Sequence, residues 1–171
     1  MGSELSPDAA AAPELFFRAR APLKPSNAVA ALLVLEGGRY LMQLRDAIPD
    51  IFYPDHWGCF GGAVDPGESP CEALQRELRE ELEFEPEEMR EFTRLDFDWR
   101  AVGHQPTARI YYEITVAEAA RRRFVLHEGA AMQAFTAPEL FAGKRVTPYD
   151  SFAVWMHFSR ERLAAGAKHG G

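Results

Sequence analysis

The chain has 171 residues, of which 47% are hydrophobic, a length and composition that suit one globular domain with a full core. A formal net charge of −7 disfavours broad binding to nucleic acid or to anionic membranes, and no apolar run reaches the length needed to cross a bilayer. Cys59 and Cys71 are too few for a disulfide scaffold, and with no signal peptide visible a reducing, cytoplasmic location is expected.

Residues 1–22, rich in Ala, Pro and Ser, read as a flexible N-terminal leader, with Leu15-Phe16-Phe17 able to dock on the body. Residues 23–165 form the domain and 166–171 a C-terminal tail. Asn27 to Leu35 is an apolar, β-prone run. The Gly37-Gly38 turn and a second strand near Arg39–Arg45 complete a hairpin. A proline-containing loop over 46–57 ends on His56-Trp57, and Gly58–Val64 is a short strand and turn that feeds a helix. Two strands are expected near Thr93–Val102 and Thr107–Val116, and shorter strand-like runs at Arg123–Leu126 and Met132–Thr136. A turn of helix around Pro138–Phe141 and a last helix from near Pro148 to about Ala164 finish the domain. On that helix Phe152, Val154, Trp155, Met156 and Phe158 are apolar on more than one face, which suits either burial within the fold or a homodimer contact. Strands with separated helices give an α/β layered domain.

The most informative stretch is Gly61 to Phe84, GGAVDPGESPCEALQRELREELEF. Ser69 can cap a helix there, with Pro70 at its first position and Glu72 placed for a capping box. At 3.6 residues per turn Cys71, Leu74, Leu78 and Leu82 share a stripe that can face a core. Glu77, Glu80 and Glu81 stand at i, i+3 and i+4 on the adjoining face. Three carboxylates so close repel one another unless a cation sits among them, and their hard oxygens suit Mg²⁺ or Mn²⁺. The bland alternative is a solvated acidic helix after a glycine turn.

The spacing of Gly62, five residues, Glu68, seven residues, then Arg76-Glu77-Leu78-Arg79-Glu80-Glu81 resembles the signature box of the Nudix hydrolases. Every fixed position matches except the last glycine, which is Glu83 here; Phe84 fills the final apolar slot. A glycine there would end the helix in the left-handed region, so Glu83 either bears that conformation or the helix runs on until Pro86 stops it. Either outcome leaves the carboxylate spacing intact.

The resemblance implies a mixed sheet sandwiched between helices, an α/β/α fold. It also implies metal-dependent cleavage of the diphosphate in a nucleoside diphosphate linked to another moiety, either a nucleotide sugar or a nucleoside triphosphate. By the same resemblance Glu77, Glu80 and Glu81 ligate Mg²⁺ (or Mn²⁺), joined by the Gly61 carbonyl. Arg76 orients the carboxylates through pairing with Glu80. Glu68 is either a weaker ligand or a brace for the loop. Glu128, in His127-Glu128-Gly129, resembles the place where many members supply another metal-binding glutamate or the general base; the alternative is an exposed loop acid. His127 is a second candidate base. Arg45 and Arg109 are candidates for gripping phosphate, and Trp57, Trp99, Tyr111 and Tyr112 for stacking a nucleobase, each against a plain core or surface role. No side chain resembles a poised nucleophile, so water is expected to attack phosphorus directly. A non-catalytic nucleotide- or protein-binding module of the same fold is the competing class; such modules commonly lose a box glutamate, and none is missing here.

Overall fold

The computed structural model describes residues 26–49 and 51–167. The leader expected over 1–22, including Leu15-Phe16-Phe17, lies outside these residues. Strand β1 (Ser26–Leu35) is an almost unbroken apolar run, and both of its faces are buried, as its composition demands. Along its whole length it pairs in parallel with β5 (Thr107–Val116), from Ser26 opposite Thr107 to Leu35 opposite Val116. It also turns back antiparallel into β2 (Arg39–Leu44), the expected hairpin. β4 (Arg90–Phe97) lies antiparallel on the far side of β5, and β6 (Ala131–Phe135) antiparallel on β2. The two-residue β3 (Trp57–Gly58) pairs with the end of β2, while Phe60 and Ala63 bridge to β1. The sheet is therefore mixed, with six strands among the described residues.

Alternation along β1 sends neighbouring side chains to opposite layers. Val29, Ala31, Leu33 and Leu35 join Ile110, Tyr112 and Ile114 beneath helix α1 (Pro70–Leu82). Ala30 and Leu32 join Tyr40, Met42, Tyr111 and Phe135 on the other side. There they pack against α3 (Ala137–Phe141) and α4 (Pro148–Ala167); a short helical turn, α2 (Glu118–Arg121), follows β5. The result is the α/β/α sandwich that the resemblance implied. No helix among the described residues is long and apolar enough to cross a membrane.

Three expectations are corrected by the structure. Residues 123–126 are not a strand: Val125 and His127 give their N–H groups to the carbonyls of Leu82 and Glu81 at the end of α1. Those carbonyls have no partner within the helix, so the segment serves as a cap rather than a sheet neighbour. β4 begins earlier and ends earlier than expected, because Asp98 captures the backbone N–H and guanidinium of Arg100 and starts a 3₁₀ turn at Arg100–Val102. Cys71 is exposed despite its helical phase, since it lies in the first turn; Ala73, Leu74, Leu78 and Leu82 form the buried stripe instead. Each buried leucine there contributes about 1.5–3 kcal/mol to holding α1 on the sheet.

Candidate functional site

The start of α1 is fixed as its sequence requires. Ser69 accepts from the N–H of Glu72, and Glu72 accepts in return from the N–H of Ser69, with Pro70 in the first turn. Nearly two turns in, Arg76 becomes the hub of the preceding loop. Its Nε and one terminal nitrogen donate to the two oxygens of Glu68, both at 3.1 Å, and it reaches the carbonyl of Ala63 at 3.1 Å. The other terminal nitrogen donates to Glu77 at 2.8 Å and to Glu80 at 3.4 Å. The bond to Glu80 is thus the longest of these hydrogen bonds, and Glu68 is the partner held through both oxygens. The fork of Arg76 holds the Glu68 carboxyl below its usual range, and Glu68 also accepts from the N–H of Asp65. Of the two roles open to Glu68, this geometry matches the loop brace.

The three helical glutamates occupy different depths. The side chain of Glu80 is 61% exposed and that of Glu77 15%, whereas Glu81 is buried at 3%. The buried arc of α1 includes the position of Glu81, which places a carboxylate against the sheet. There it accepts from the N–H of Gly61 at 2.9 Å and from Nε2 of Gln43 at 3.2 Å. Burial raises its pKa from 4.5 to about 7; the two hydrogen bonds oppose that rise, and the charges of Glu128 and Glu77 add to it. Glu77 is raised for the same first reason, countered by Arg76 and reinforced by Glu80 and Glu128.

Two glycines make this approach sterically feasible. Gly61 has φ 126°, and a Cβ on it would stand 2.4 Å from the carbonyl oxygen of Val29. A Cβ on Gly62 would meet Oε1 of Glu77 at 2.3 Å. The carbonyls of Phe60 and Gly62 accept from Ala31 and Val29, leaving the Gly61 carbonyl between them outside that ladder. Glu128 is delivered to the same place by its neighbours: His127 is tied to Glu81, and Ala130 donates to the carbonyl of Leu44. It is exposed, and it lines one cavity with Gly61, Gly62 and Ala63.

Glu77, Glu81 and Glu128 therefore all approach the Gly61–Gly62 turn, while the largely exposed Glu80 is tied to them through Arg76. Their chemistry fits a divalent cation: the donors are all oxygen, and the charges of Glu128 and Glu77 add to the raised pKa of Glu81 as those of Glu80 and Glu128 do to that of Glu77. Among the described residues, no three acidic, histidine or cysteine side chains already converge as a closed metal cluster. Arg76 holds Glu77 and Glu80, while Gly61 and Gln43 hold Glu81, which keeps the carboxylates apart.

Beyond the glycines the cavity opens to about 570 Å³ and becomes aromatic. Phe52, Trp99, His104 and Tyr149 form its wall: the Phe52 ring lies 5.5 Å from Trp99 and 4.4 Å from His104, and stacks at 6.2 Å over Tyr149. Of the four aromatics considered from sequence, only Trp99 lies here. Trp57 packs edge-on against Phe135, and Tyr111 and Tyr112 are buried in the two opposite cores. Arg45 and Arg109 both line the cavity; Arg45 also donates to the carbonyl of Phe52 at 3.0 Å. His127 is not among the residues lining the cavity, and its Nε2 lies 2.7 Å from Glu83. Glu83 itself takes the left-handed conformation, φ 53° and ψ 37°, so it bears the backbone geometry of the missing glycine. Gln43, Phe52, His104, Tyr149 and Asp150 were not singled out from sequence. Their roles depend on contacts distant in sequence, such as Gln43 to Cys59 across 16 residues and Asp150 to the N–H of Cys59 across 91.

The NUDIX domain model matches residues 24–120, more than half of the chain. A comparison with curated protein sequences finds no match. Among solved structures, a MutT NUDIX hydrolase from Burkholderia pseudomallei is 23% identical, with a TM-score of 0.64, covering 77% of this chain and 96% of that one. A MutT protein from Methanosarcina mazei Go1 is 19% identical, with a TM-score of 0.67, covering 84% and 99%. The NUDIX domain of Shewanella oneidensis NrtR, in complex with ADP ribose, is 17% identical, with a TM-score of 0.65, covering 89% and 97%. At these identities the structures establish a shared fold, while the domain match and the box sequence establish kinship: the chain belongs to the Nudix family and is a Nudix hydrolase.

Proposed function

We propose that the protein is a divalent-metal-dependent pyrophosphohydrolase. Its substrate is a nucleoside diphosphate linked to a further group, a nucleotide sugar or a nucleoside triphosphate, and water attacks phosphorus directly. The observation that carries this reading is the buried Glu81 carboxylate, clustered with Glu77 and Glu128 around the Gly61–Gly62 turn. The ADP ribose bound by the Shewanella relative is a molecule of this chemical class, which supports the choice.

Glu77, Glu80, Glu81, Glu128 and the Gly61 carbonyl would hold Mg²⁺ or Mn²⁺. An ion held there would supply positive charge to offset that of the diphosphate, whose oxygens otherwise repel an incoming nucleophile. Glu81 is held in place by Gly61 and Gln43 before substrate arrives, so little reorganisation is needed at the moment of reaction. Arg76, tied to Glu68 and Ala63, positions Glu77 and Glu80 without touching the reacting atoms. Glu128, exposed at the cavity, is either a further ligand or the base that takes a proton from the attacking water. The neutral aromatic wall receives the rest of the molecule.

The reading is tested by incubating the protein with Mg²⁺ and a panel of nucleotide sugars, dinucleoside polyphosphates, triphosphates and ADP-ribose, resolving products by chromatography. Hydrolysis of at least one class is expected, with Glu81→Gln slower by several orders of magnitude while still folded. Near-wild-type turnover of that variant at saturating Mg²⁺ would overturn the assignment.

A further inference from the structure

Glu81 and Arg109 lie on opposite faces of the sheet, although Glu128 and Arg109 line the same cavity. Glu81 and its partner Gln43 are on the α1 side, whereas Arg109 follows the phase of Tyr111 and meets Asp150 and Tyr149 of α4. Asp150, 1% exposed, accepts from the N–H of Cys59, the hydroxyls of Thr147 and Tyr111, and lies 3.3 Å from Nε of Arg109. The guanidinium sits 5.0 Å above the Tyr149 ring, which leaves it little freedom to swing. Among the described residues no hydrogen bond engages its two terminal nitrogens, and the side chain lines the aromatic cavity. A buried cation thus presents a fixed pair of donors into a space walled by π-faces.

We infer that this cavity takes the base of the nucleotide, and that Arg109 is the residue that reads it, favouring a purine edge with two adjacent acceptors, as O6 and N7 of guanine provide. This rests on the nucleotide reading above and adds a base preference to it. An arginine fork matches that acceptor pair in a bidentate way, whereas adenine offers a donor where guanine offers O6. The rings of Phe52, Trp99 and Tyr149 suit a flat heterocycle, and the space is large enough for one. A phosphate is the other partner an arginine binds, but beside Arg109 it would be stripped of water against the rings of Phe52, Trp99 and Tyr149, across the sheet from Glu81.

The test is binding to metal-free protein, read by calorimetry and by tryptophan fluorescence, with GMP, AMP and ribose 5-phosphate as probes. GMP is expected to bind about tenfold or more tightly than AMP, the order set by one good bidentate contact. It is also expected to quench fluorescence, a quench lost in Trp99→Phe although calorimetry still reports binding. Arg109→Lys is expected to erase the difference between GMP and AMP. Should that variant fail to fold for want of its partner to Asp150, Trp99→Ala supplies the second reading, weakening both nucleotides by a similar factor. Equal affinity for GMP and AMP, ribose 5-phosphate binding as well as GMP, or no binding of any probe at millimolar concentration would overturn the inference. These results are independent of turnover: loss of base selectivity with intact hydrolysis removes Arg109 as the reader alone, and selective binding without hydrolysis removes the proposed reaction alone.

Discussion

Replacing Glu81 by glutamine in the metal-free protein should stabilise the fold while abolishing activity, and the size of the gain can be worked from the site. The carboxyl's pKa is raised from 4.5 to about 7, chiefly by burial, so ionising it in the folded state costs about 3 kcal/mol more than in the unfolded chain. Glutamine removes that cost. Its amide, however, has one oxygen to offer where the carboxylate serves two donors, the N–H of Gly61 and Nε2 of Gln43. The lost hydrogen bond returns about 1 kcal/mol, leaving a net gain of about 2 kcal/mol at pH 8. Because the folded-state pKa lies above the unfolded one, the wild-type contribution is fully present below pH 4.5 and is lost as pH rises to about 7. The advantage of the variant should therefore fall to about zero at pH 5. Urea denaturation in EDTA at pH 5 and pH 8, by circular dichroism, measures both values. Equal destabilisation at the two pH values would refute the buried, ionisable Glu81 on which the account rests. Added Mg²⁺ should stabilise the wild type and not the variant.

Four further outcomes follow from particular contacts. Glu83→Gly should raise stability by about 0.5–1 kcal/mol, since a left-handed residue with a Cβ is strained and its exposed contact with His127 is worth little; a thermal melt showing a clear loss would contradict this. Gly62→Ala should fold with nearly unchanged stability, because only the end of the Glu77 side chain must move, yet should weaken Mn²⁺ binding measured by electron paramagnetic resonance. Glu128→Gln should slow turnover if the loop acts on the reacting centre, and an unchanged rate would return Glu128 to an ordinary surface acid. Burial lowers the pKa of His157, whose Nδ1 lies 2.8 Å from the Tyr40 hydroxyl. Its contribution to stability is present above the ordinary histidine value of about 6.5 and is lost as pH falls, so His157→Gln should flatten the acid side of the stability profile.

What was legible in the sequence was local. The capping box at Ser69–Glu72, the leucine stripe of α1, the glycine hairpin and the ten-residue β5 each follow from neighbours within a few positions, where periodicity and cap chemistry act. The box also gave the carboxylate spacing, and the structure adds what spacing alone does not contain, the burial of Glu81 between Gly61 and Gln43. Arg76 illustrates the limit: helical spacing suggests Glu80 as its partner, but the loop folds back and offers both oxygens of Glu68 at 3.1 Å, against 3.4 Å for Glu80. The segment 123–126 was misread for a related reason. Its composition is strand-like, yet its N–H groups go to the carbonyls at the end of α1. The aromatic cavity draws on the loop at Phe52, the turn at Trp99–His104 and the start of α4, three segments far apart in the chain, so no local pattern marks it.

The central claim is that water attacks a phosphorus atom, with the carboxylates around Gly61–Gly62 holding the metal. Hydrolysis of a nucleotide sugar in ¹⁸O-labelled water with Mg²⁺, followed by mass spectrometry of the products, tests it most directly. The account predicts a nucleoside monophosphate and a sugar phosphate, with label on one of the two phosphates and none on the sugar carbon. Free sugar and nucleoside diphosphate, with the label on the sugar carbon, would contradict it.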